Sequence, residues 1–533
     1  MSDSGRVTRQ LSLMAKLMEL HGENPFKTRA YSNAAFRLSK LRYDFNGKSL
    51  QDIESIDGLG KSIASKVFDL ASGGTIPELD ELLGRTPEGV VHMLEIKGLG
   101  PRKVFQLWQE LNCESVGELL YACHENRLVT LKGFGEKTQR QVLENIEFSL
   151  AGRNKMHYAA AENAVGQAVS FWRSQGFQAV PVGQFARREP VLDGVQILVS
   201  GPENAVDARF DPALPLPVKF ISCPRSEFYY RSVEMSSAPA HLAKIGFSSL
   251  AIRDYQSEEA VYDALGLQFV PPELREGLSE AGLARSGKLP RLIENQDLRG
   301  ILHCHTTYSD GANTLRDMAL ECRRQGYSYF GVCDHSKSAF YANGLSEERV
   351  VMQHAEIDKL NSEFSDFRIL KGIESDILSD GSLDYPDAVL SSFDFIVASV
   401  HQNLKMSEER ATERLIRAIE NPFTFILGHP TGRLLLGRPG YPIDHRRVID
   451  ACAANGVSIE LNSHPYRLDI DWRWIPYCIE KGVKVSLNPD AHHLEGLKDV
   501  RYGVFAARKG MLSRENCLNA LELPDLIRSF RRS

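Results

Sequence analysis

No stretch of this sequence approaches the ~20 consecutive apolar residues of a membrane span. The polar opening Met1-Ser2-Asp3-Ser4-Gly5 is followed by no secretory-signal core. No membrane contact is therefore expected, and a cytoplasmic location is. A disulfide framework is missing as well. The nine cysteines are odd in number, form no Cys-x-x-Cys, and include Cys304, Cys322, Cys333, Cys452 and Cys478 in or beside apolar stretches. Such cysteines read as buried thiols in a reducing compartment. There is no surplus of basic charge either. The net charge is −6, with residues 1–155 close to neutral and the negative balance beyond them. Any nucleic-acid contact must then come from local clusters of Lys and Arg. What is present is ordinary globular composition, 43% hydrophobic and 25% charged over 533 residues, enough for several domains.

The most informative stretch is His303-Cys304-His305-Thr306-Thr307-Tyr308-Ser309-Asp310-Gly311, which follows the apolar pair Ile301-Leu302. Residues two apart in a strand share a face, so His303 and His305 can reach one site. Imidazole with carboxylate suits Zn, Mn or Fe; the alternative is two surface histidines and a turn aspartate. Further apolar runs end in chemistry-bearing residues. Tyr329–Cys333 ends in Asp334-His335, Ile369–Ile373 in Glu374, Phe395–Val400 in His401, and Phe425–Gly428 in His429-Pro430. Val457–Leu461 ends in Asn462-Ser463, and Val483–Asn488 leads into Asp490-Ala491-His492. Short runs rich in β-branched and aromatic residues read as buried strands. Helix-like stretches between them imply seven parallel βα units, whose chemistry belongs at the C-terminal strand ends.

This pattern resembles the PHP family of phosphoesterases, which are distorted (βα)7 barrels. The resemblance covers Gly300 to about Phe530. It implies a cluster of two to three Zn, Mn or Fe ions held by His303, His305, Asp310, His335, Glu374, His401, His429, Asp490 and His492, with Glu374 bridging. It also casts Glu374 and Asp490 as catalytic. Arg467 and Lys337 are candidate phosphate-facing cations, or alternatively rim residues.

At the other end, Leu11, Met14, Leu17 and Met18 recur at helical spacing. Lys27, Arg29 and Tyr31 follow on a short helix that could serve a DNA end or simply be solvated. Three related segments come next: Ile56–Ala64 with Gly58 and Gly60, Ile96–Val104 with Gly98 and Gly100, and Leu131–Thr138 with Gly133 and Gly135. Backbone N–H groups at a tight turn that opens a helix bind phosphate without reading bases, and Lys61, Arg102, Lys103 and Lys137 add charge. The three segments resemble helix-hairpin-helix DNA-binding motifs. The first ~85 residues are similar to the N-terminal domain of family X DNA polymerases, which implies a Schiff-base lyase lysine at Lys66, or else a plain DNA contact there. A lyase lysine needs a depressed pKa.

Residues 156–249 occupy the place of that family's palm. The palm's Gly-Ser falls on Gly183-Gln184, its paired aspartates on Gly194 and Gln196, and its third acid near Lys219. Asp193 is one residue out of register, which flips a strand side chain to the other face. Asp207 and Asp211 lie nearby. Without paired carboxylates no two-metal clamp for nucleotidyl transfer forms.

The expected organisation is multidomain α+β and α/β. It comprises a helical lyase-like domain with the first hairpin at 1–84, the second and third hairpins at 85–155, a degenerate nucleotidyltransferase palm at 156–249, a thumb remnant at 250–285, a linker at 286–299 and the PHP barrel at 300–533. The whole resembles bacterial family X polymerases with a C-terminal PHP domain. It implies a monomeric, metal-dependent 3′-5′ exonuclease or 3′-end-trimming enzyme of base-excision repair, acting on gapped, nicked or 3′-ended DNA. The alternatives are an active polymerase-exonuclease, a small-molecule phosphomonoesterase of histidinol-phosphatase type, and a DNA-end scaffold.

Overall fold

The computed structural model describes residues 3–41, 45, 48–56, 59–151, 155–201 and 218–530. Residues 1–123 with 127–147 form one compact unit, and residues 124–126 with 148–533 form a second.

The first unit is helical. Helix Asp3–Leu20 buries Val7, Leu11, Met14, Leu17 and Met18 and packs against helix Pro25–Leu41, which buries Tyr31, Ala34, Ala35 and Leu38. The three Gly-x-Gly segments share one hydrogen-bond pattern. The Leu59, Leu99 and Phe134 N–H groups donate to the carbonyls of Ile56, Ile96 and Leu131 at 3.0, 3.1 and 3.1 Å. The first glycine stands third in each four-residue turn. Gly98 and Gly133 have φ of 88° and 90°, as a type II turn requires; Gly58 lies outside the described residues. Leu59, Leu99 and Phe134 are buried plugs that hold each turn to the core. Gly60 and Gly100 then open helices Lys61–Ala71 and Pro101–Leu111 with no side-chain cap, so the first helical N–H groups are left without one. Gly135 immediately precedes helix Glu136–Ala151.

The second unit begins with the pair β1 (Met156–His157) and β3 (Val191–Leu192). A three-stranded sheet follows, with β4 (Val195–Ser200) between antiparallel β2 (Ala179–Val182) and parallel β5 (Val218–Cys223). Helix Tyr158–Ser174 buries Ala161, Val165, Ala168 and Trp172 in the same core as Ile197 and Val199. A second core runs from Tyr230 and Val233 through Tyr262 and Leu274 to Leu292, continuing across residue 250. The stretch 286–299, read from composition as a linker, is packed. Leu292, Ile293 and Leu298 are buried, and the Ile293 N–H donates to the Leu512 carbonyl at 2.8 Å. All nine cysteines are buried and none forms a disulfide. Among the described residues, no helix is long and apolar enough to cross a membrane.

Seven parallel strands build the C-terminal part in sequence order: β6 (Gly300–Ile301), β7 (Tyr329–Val332), β8 (Arg368–Asp376), β9 (Phe395–Ser399), β10 (Thr424–Leu427), β11 (Ser458–Asn462) and β12 (Val485–Asn488). These are the runs expected from the apolar pattern. The ring is nearly closed. The first and last strands meet at an isolated bridge between Cys304 and Ala491, just beyond their ends. Side-chain amides stitch the rest of that seam. The fully buried Asn519 donates to the carbonyls of Gly300 (3.0 Å) and Leu487 (2.9 Å) and accepts the Leu487 N–H at 2.7 Å, while Asn488 Oδ1 accepts the Leu302 N–H at 3.1 Å. Two edges that would otherwise expose unpaired backbone groups are satisfied this way. Replacing Asn519 with Ala leaves those backbone groups buried and unpaired, at about 1–3 kcal/mol each. The variant should show an earlier denaturation midpoint followed by barrel tryptophan fluorescence, with the helical unit unaffected; an unchanged midpoint would show that the seam does not depend on Asn519.

Candidate functional site

All nine expected positions converge at the C-terminal mouth of the barrel. His303 and His305 leave the end of β6, and Asp310 comes from the loop beyond. His335 follows β7, Glu374 lies within β8, His401 follows β9, His429 follows β10, and Asp490 and His492 follow β12. All are buried except His401, which is half-buried. Glu374 is the hub. Its Oε1 lies 2.9 Å from His429 Nε2, 3.2 Å from His401 Nε2 and 3.3 Å from His303 Nε2. Its Oε2 lies 2.9 Å from His335 Nδ1 and 3.6 Å from His305 Nε2. Asp490 Oδ1 is 2.9 Å from His305 Nε2, and Asp310 Oδ1 is 3.4 Å from His492 Nε2.

These side chains form three overlapping nests, each with its N and O atoms within 4.8 Å of one another: His305, Asp310, His335 and His492; His303, His305 and Asp490; His335, Glu374 and His401. His429 belongs to none of the three and touches the hub carboxylate. The atoms facing inward are unsatisfied: His303 Nε2, His305 Nδ1, Asp310 Oδ2, Glu374 Oε2 and His492 Nε2 are buried without a hydrogen-bond partner. Buried polar atoms are rarely left so. Imidazole nitrogens and carboxylate oxygens aimed at common points are the donor set of Zn, Mn or Fe, and the residues fit a cluster of divalent ions.

A further ring of side chains aims these residues, and sequence reading missed it. Glu460, within β11, accepts from His303 Nδ1 at 2.9 Å with one oxygen and from the His429 N–H at 2.8 Å with the other. Asp376 pairs with His401 Nδ1, and the Asp490 carbonyl lies 2.9 Å from His492 Nδ1. Such partners set which ring nitrogen is available and how the ring points. Asp334 accepts from the Thr306 N–H (2.8 Å), the Thr306 hydroxyl (2.7 Å), the Ser309 N–H (3.1 Å) and Gln353 Nε2 (2.6 Å), so it fixes the loop that carries Asp310. A lone acid inside an otherwise apolar strand, as in Ser458-Ile459-Glu460-Leu461, was the one available signal.

Arg467 is buried, with NH1 3.2 Å from Asp490 Oδ2, so it lies inside the site. Lys337 is partly exposed and pairs with Glu347 at 3.3 Å. In the helical unit, Lys27, Lys61, Arg102 and Lys137 are exposed, and Lys103 Nζ lies 5.4 Å over the Phe134 ring beside the third hairpin. Lys66 hydrogen-bonds Glu78 and lies 5.6 Å over the Tyr31 ring. Burial lowers its pKa, but Glu78 and Tyr31 outweigh that and raise it. This is opposite to the depression a Schiff-base lysine needs, because the groups meeting Lys66 are an acid and a phenol and not the cations that would depress it.

In the palm, Gln196 and Lys219 are exposed neighbours across the β4–β5 ladder, and a Cβ on Gly183 would stand 3.2 Å from Gln196 Oε1. The three positions thus share one face. Asp193 lies before β4 and is held by Gln184, which it meets through two 2.9 Å hydrogen bonds. Asp207 and Asp211 lie outside the described residues.

The electrostatics of the cluster set a measurable consequence. Burial opposes charge on each histidine. At His401 the carboxylates of Glu374 and Asp376 outweigh it, and at His492 Asp310 does; both are pushed up to about 10. His303 and His335 are raised likewise by their acids. Burial and neighbouring cations or imidazoles instead lower His305 to about 4 and His429 to about 3. Glu374 and Asp490 are held well below the carboxylate range, because their imidazole partners overcome burial. In the metal-free protein, the raised histidines therefore stabilise the fold fully below about pH 6.5. That contribution is lost as the pH rises through about 10. Ligation needs neutral imidazole. Binding of Zn²⁺ or Mn²⁺ at pH 7 should thus release protons, and apparent affinity should rise with pH toward 10. Calorimetry in buffers of different ionisation enthalpy reads this directly; a heat independent of buffer would contradict it.

Two family patterns match the sequence: the helix-hairpin-helix domain over residues 4–76 and the PHP domain over residues 302–464. Among curated relatives, the DNA polymerase/3′-5′ exonuclease PolX of Bacillus subtilis is 32% identical and is matched over 99% of both chains. A probable phosphatase of Acetivibrio thermocellus is 32% identical over 36% of this chain and 78% of its own length. One from Caldanaerobacter subterraneus is 31% identical over 36% and 74%. The phosphatase matches extend over only about a third of the chain, whereas the full-length match takes in hairpins, palm and barrel together, and on it the chain belongs to the family X DNA polymerases that carry a C-terminal PHP domain.

Proposed function

We propose that this chain is a metal-dependent 3′-5′ exonuclease or 3′-end-trimming enzyme of DNA repair whose palm no longer performs synthesis. The Glu374-centred cluster carries the reading: nine imidazoles and carboxylates meet at the mouth of a barrel in a chain that also holds three phosphate-binding hairpins. The residues that would hold two or three ions of Zn, Mn or Fe are His303, His305, Asp310, His335, Glu374, His401, His429, Asp490 and His492, with Glu374 the carboxylate they would have in common. Bound there, such ions would polarise phosphate oxygens and lower the pKa of a water molecule. Asp490, kept anionic by its imidazole partners, is the second carboxylate we assign to catalysis, and Arg467 pairs with it at 3.2 Å. His303, His401 and His492 keep their outer nitrogens against Glu460, Asp376 and the Asp490 carbonyl, so their inner nitrogens do not have to reorganise. DNA, gapped, nicked or 3′-ended, is held by the backbone N–H groups at Gly58, Gly60, Gly98, Gly100, Gly133 and Gly135 together with Lys27, Lys61, Lys66, Arg102, Lys103 and Lys137. Phosphate contacts of this kind give affinity that is nearly sequence-independent and falls steeply with salt. The hairpins weigh against a small phosphomonoester as substrate, since such a molecule needs no clamp.

Glu374→Ala should reduce metal content measured by mass spectrometry and reduce nuclease activity by several orders of magnitude, since a shared carboxylate serves more than one ion. Full metal content in that variant would remove Glu374 from the proposed ligand set.

The printed name of the Bacillus subtilis relative includes polymerase activity, which makes an active polymerase the rival reading. Gly194, Gln196 and Lys219 weigh against it, because without acids there is nothing to hold two ions at the primer end. The deciding measurement uses His303→Ala with His305→Ala, so that degradation does not mask synthesis. A one-nucleotide gap supplied with dNTPs should not be filled. Template-directed filling would restore the bifunctional reading.

A further inference from the structure

The loop that follows β7, which carries His335 at its start, presents the ring of Phe340 to solvent. Phe340 is 87% exposed, while its neighbours Ala339 and Ala342 are buried. The loop does not hang free. Its base is tied by the Ser336 N–H to the Glu374 carbonyl at 3.0 Å and by the Leu345 N–H to the His335 carbonyl at 2.8 Å. The Ser338 hydroxyl donates to Asp376, the acid that orients His401, at 2.6 Å, and the Ser338 N–H donates to Asp384 at 2.7 Å. The Ser338 carbonyl accepts from Gln402 Nε2 at 3.0 Å. On the far side, Asn343 is in the left-handed region (φ 54°), and its amide donates to the carbonyls of Tyr308 and Ser309 on the loop that carries Asp310. The Tyr341 ring stands 6.2 Å from His335. Ser336, Ser338, Asn343 and Leu345, on either side of Phe340, are thus fastened to residues of the cluster or to their supports.

A large apolar ring left in water costs free energy that the fold could have recovered by burying it. Here the flanking backbone is hydrogen-bonded on both sides while the ring stays in water. We propose that Phe340 is a nucleobase platform: it stacks the base of the terminal nucleotide while the adjacent phosphodiester lies over the cluster. The proposal rests on the nuclease reading above and specifies what the site recognises beyond phosphate. Every base has a π face, so a single aromatic platform gives affinity without sequence preference. A chain-end base stacks on such a ring more readily than a paired one, which would favour unpaired or frayed ends. The platform also separates a nucleic-acid end from a small phosphate ester, which has no base to stack.

The test uses the full-length metal-loaded protein and three substrates: an oligonucleotide ending in a normal nucleotide, the same oligonucleotide ending in an abasic tetrahydrofuran residue, and bis(p-nitrophenyl) phosphate. Phe340→Ala should lower kcat/KM on the base-bearing end about tenfold or more, the scale of one lost base–aromatic stack. Phe340→Trp should restore it. The loss should be confined to the base-bearing end, so that wild type and Phe340→Ala converge on the abasic oligonucleotide. Equal losses on all three substrates would show that Phe340 shapes the loop and would overturn the platform. So would an undiminished rate on the base-bearing end. A wild-type protein that hydrolyses bis(p-nitrophenyl) phosphate but trims neither oligonucleotide would instead refute the nuclease reading, and the two failures are told apart by that comparison.

Discussion

The structure turns on one buried carboxylate. Glu374 lies near the C-terminal end of β8, fully buried, with five imidazoles within 3.6 Å of its two oxygens. An isolated carboxylate at that depth would be protonated or expelled. Here the surrounding nitrogens hold it charged, and its charge in turn raises His303, His335 and His401. The cluster is therefore a single electrostatic object. Removing one partner leaves another uncompensated, which is why buried pairs are costly to break even where they contribute little net stability. The same mutual dependence prepares the nitrogens for a cation, since a divalent ion can replace the protons that the acids now retain.

That object needs a rigid frame, and the frame is made of fixed hydrogen bonds and long-range packing. Asp334, Asp376 and Glu460 each hold a ring or loop from a different strand. The seam between β6 and β12 is completed by Asn488 and Asn519. Beyond the barrel, Lys509 is fully buried against Trp472 and reaches Glu276 at 2.7 Å, Glu189 at 3.2 Å and the Arg187 carbonyl at 2.8 Å. Arg508 beside it pairs with Glu273 at 2.6 Å. These charges join the barrel to the palm sheet and to the helical core around Tyr262. The three-stranded sheet keeps its packed core on one side while Gln196 and Lys219 stand on its exposed face.

Much of this was legible in the sequence because strand geometry is local. A residue that ends an apolar run must leave the C-terminal end of its strand, so His335, His401 and His429 could be assigned to one mouth before any contact was known. His303 and His305 share a face for the same reason, and Gly98 and Gly133 supply the positive φ that a type II turn demands. Tertiary contacts decided the rest. Nothing near Glu460 in the chain marks it as the partner of His303, 157 residues away, and Asp334 looked like half of a motif until its donors on Thr306, Ser309 and Gln353 were in place. Lys66 meets Glu78, which raises its pKa where a lyase lysine needs it lowered; Arg467 is drawn onto Asp490; residues 286–299 pack although their composition suggests a linker. In each case the local pattern sets the direction in which a side chain leaves the backbone, while its partner is set by which distant segment the fold brings within 3 Å, and a hydrogen bond or ion pair has no signature in sequence spacing.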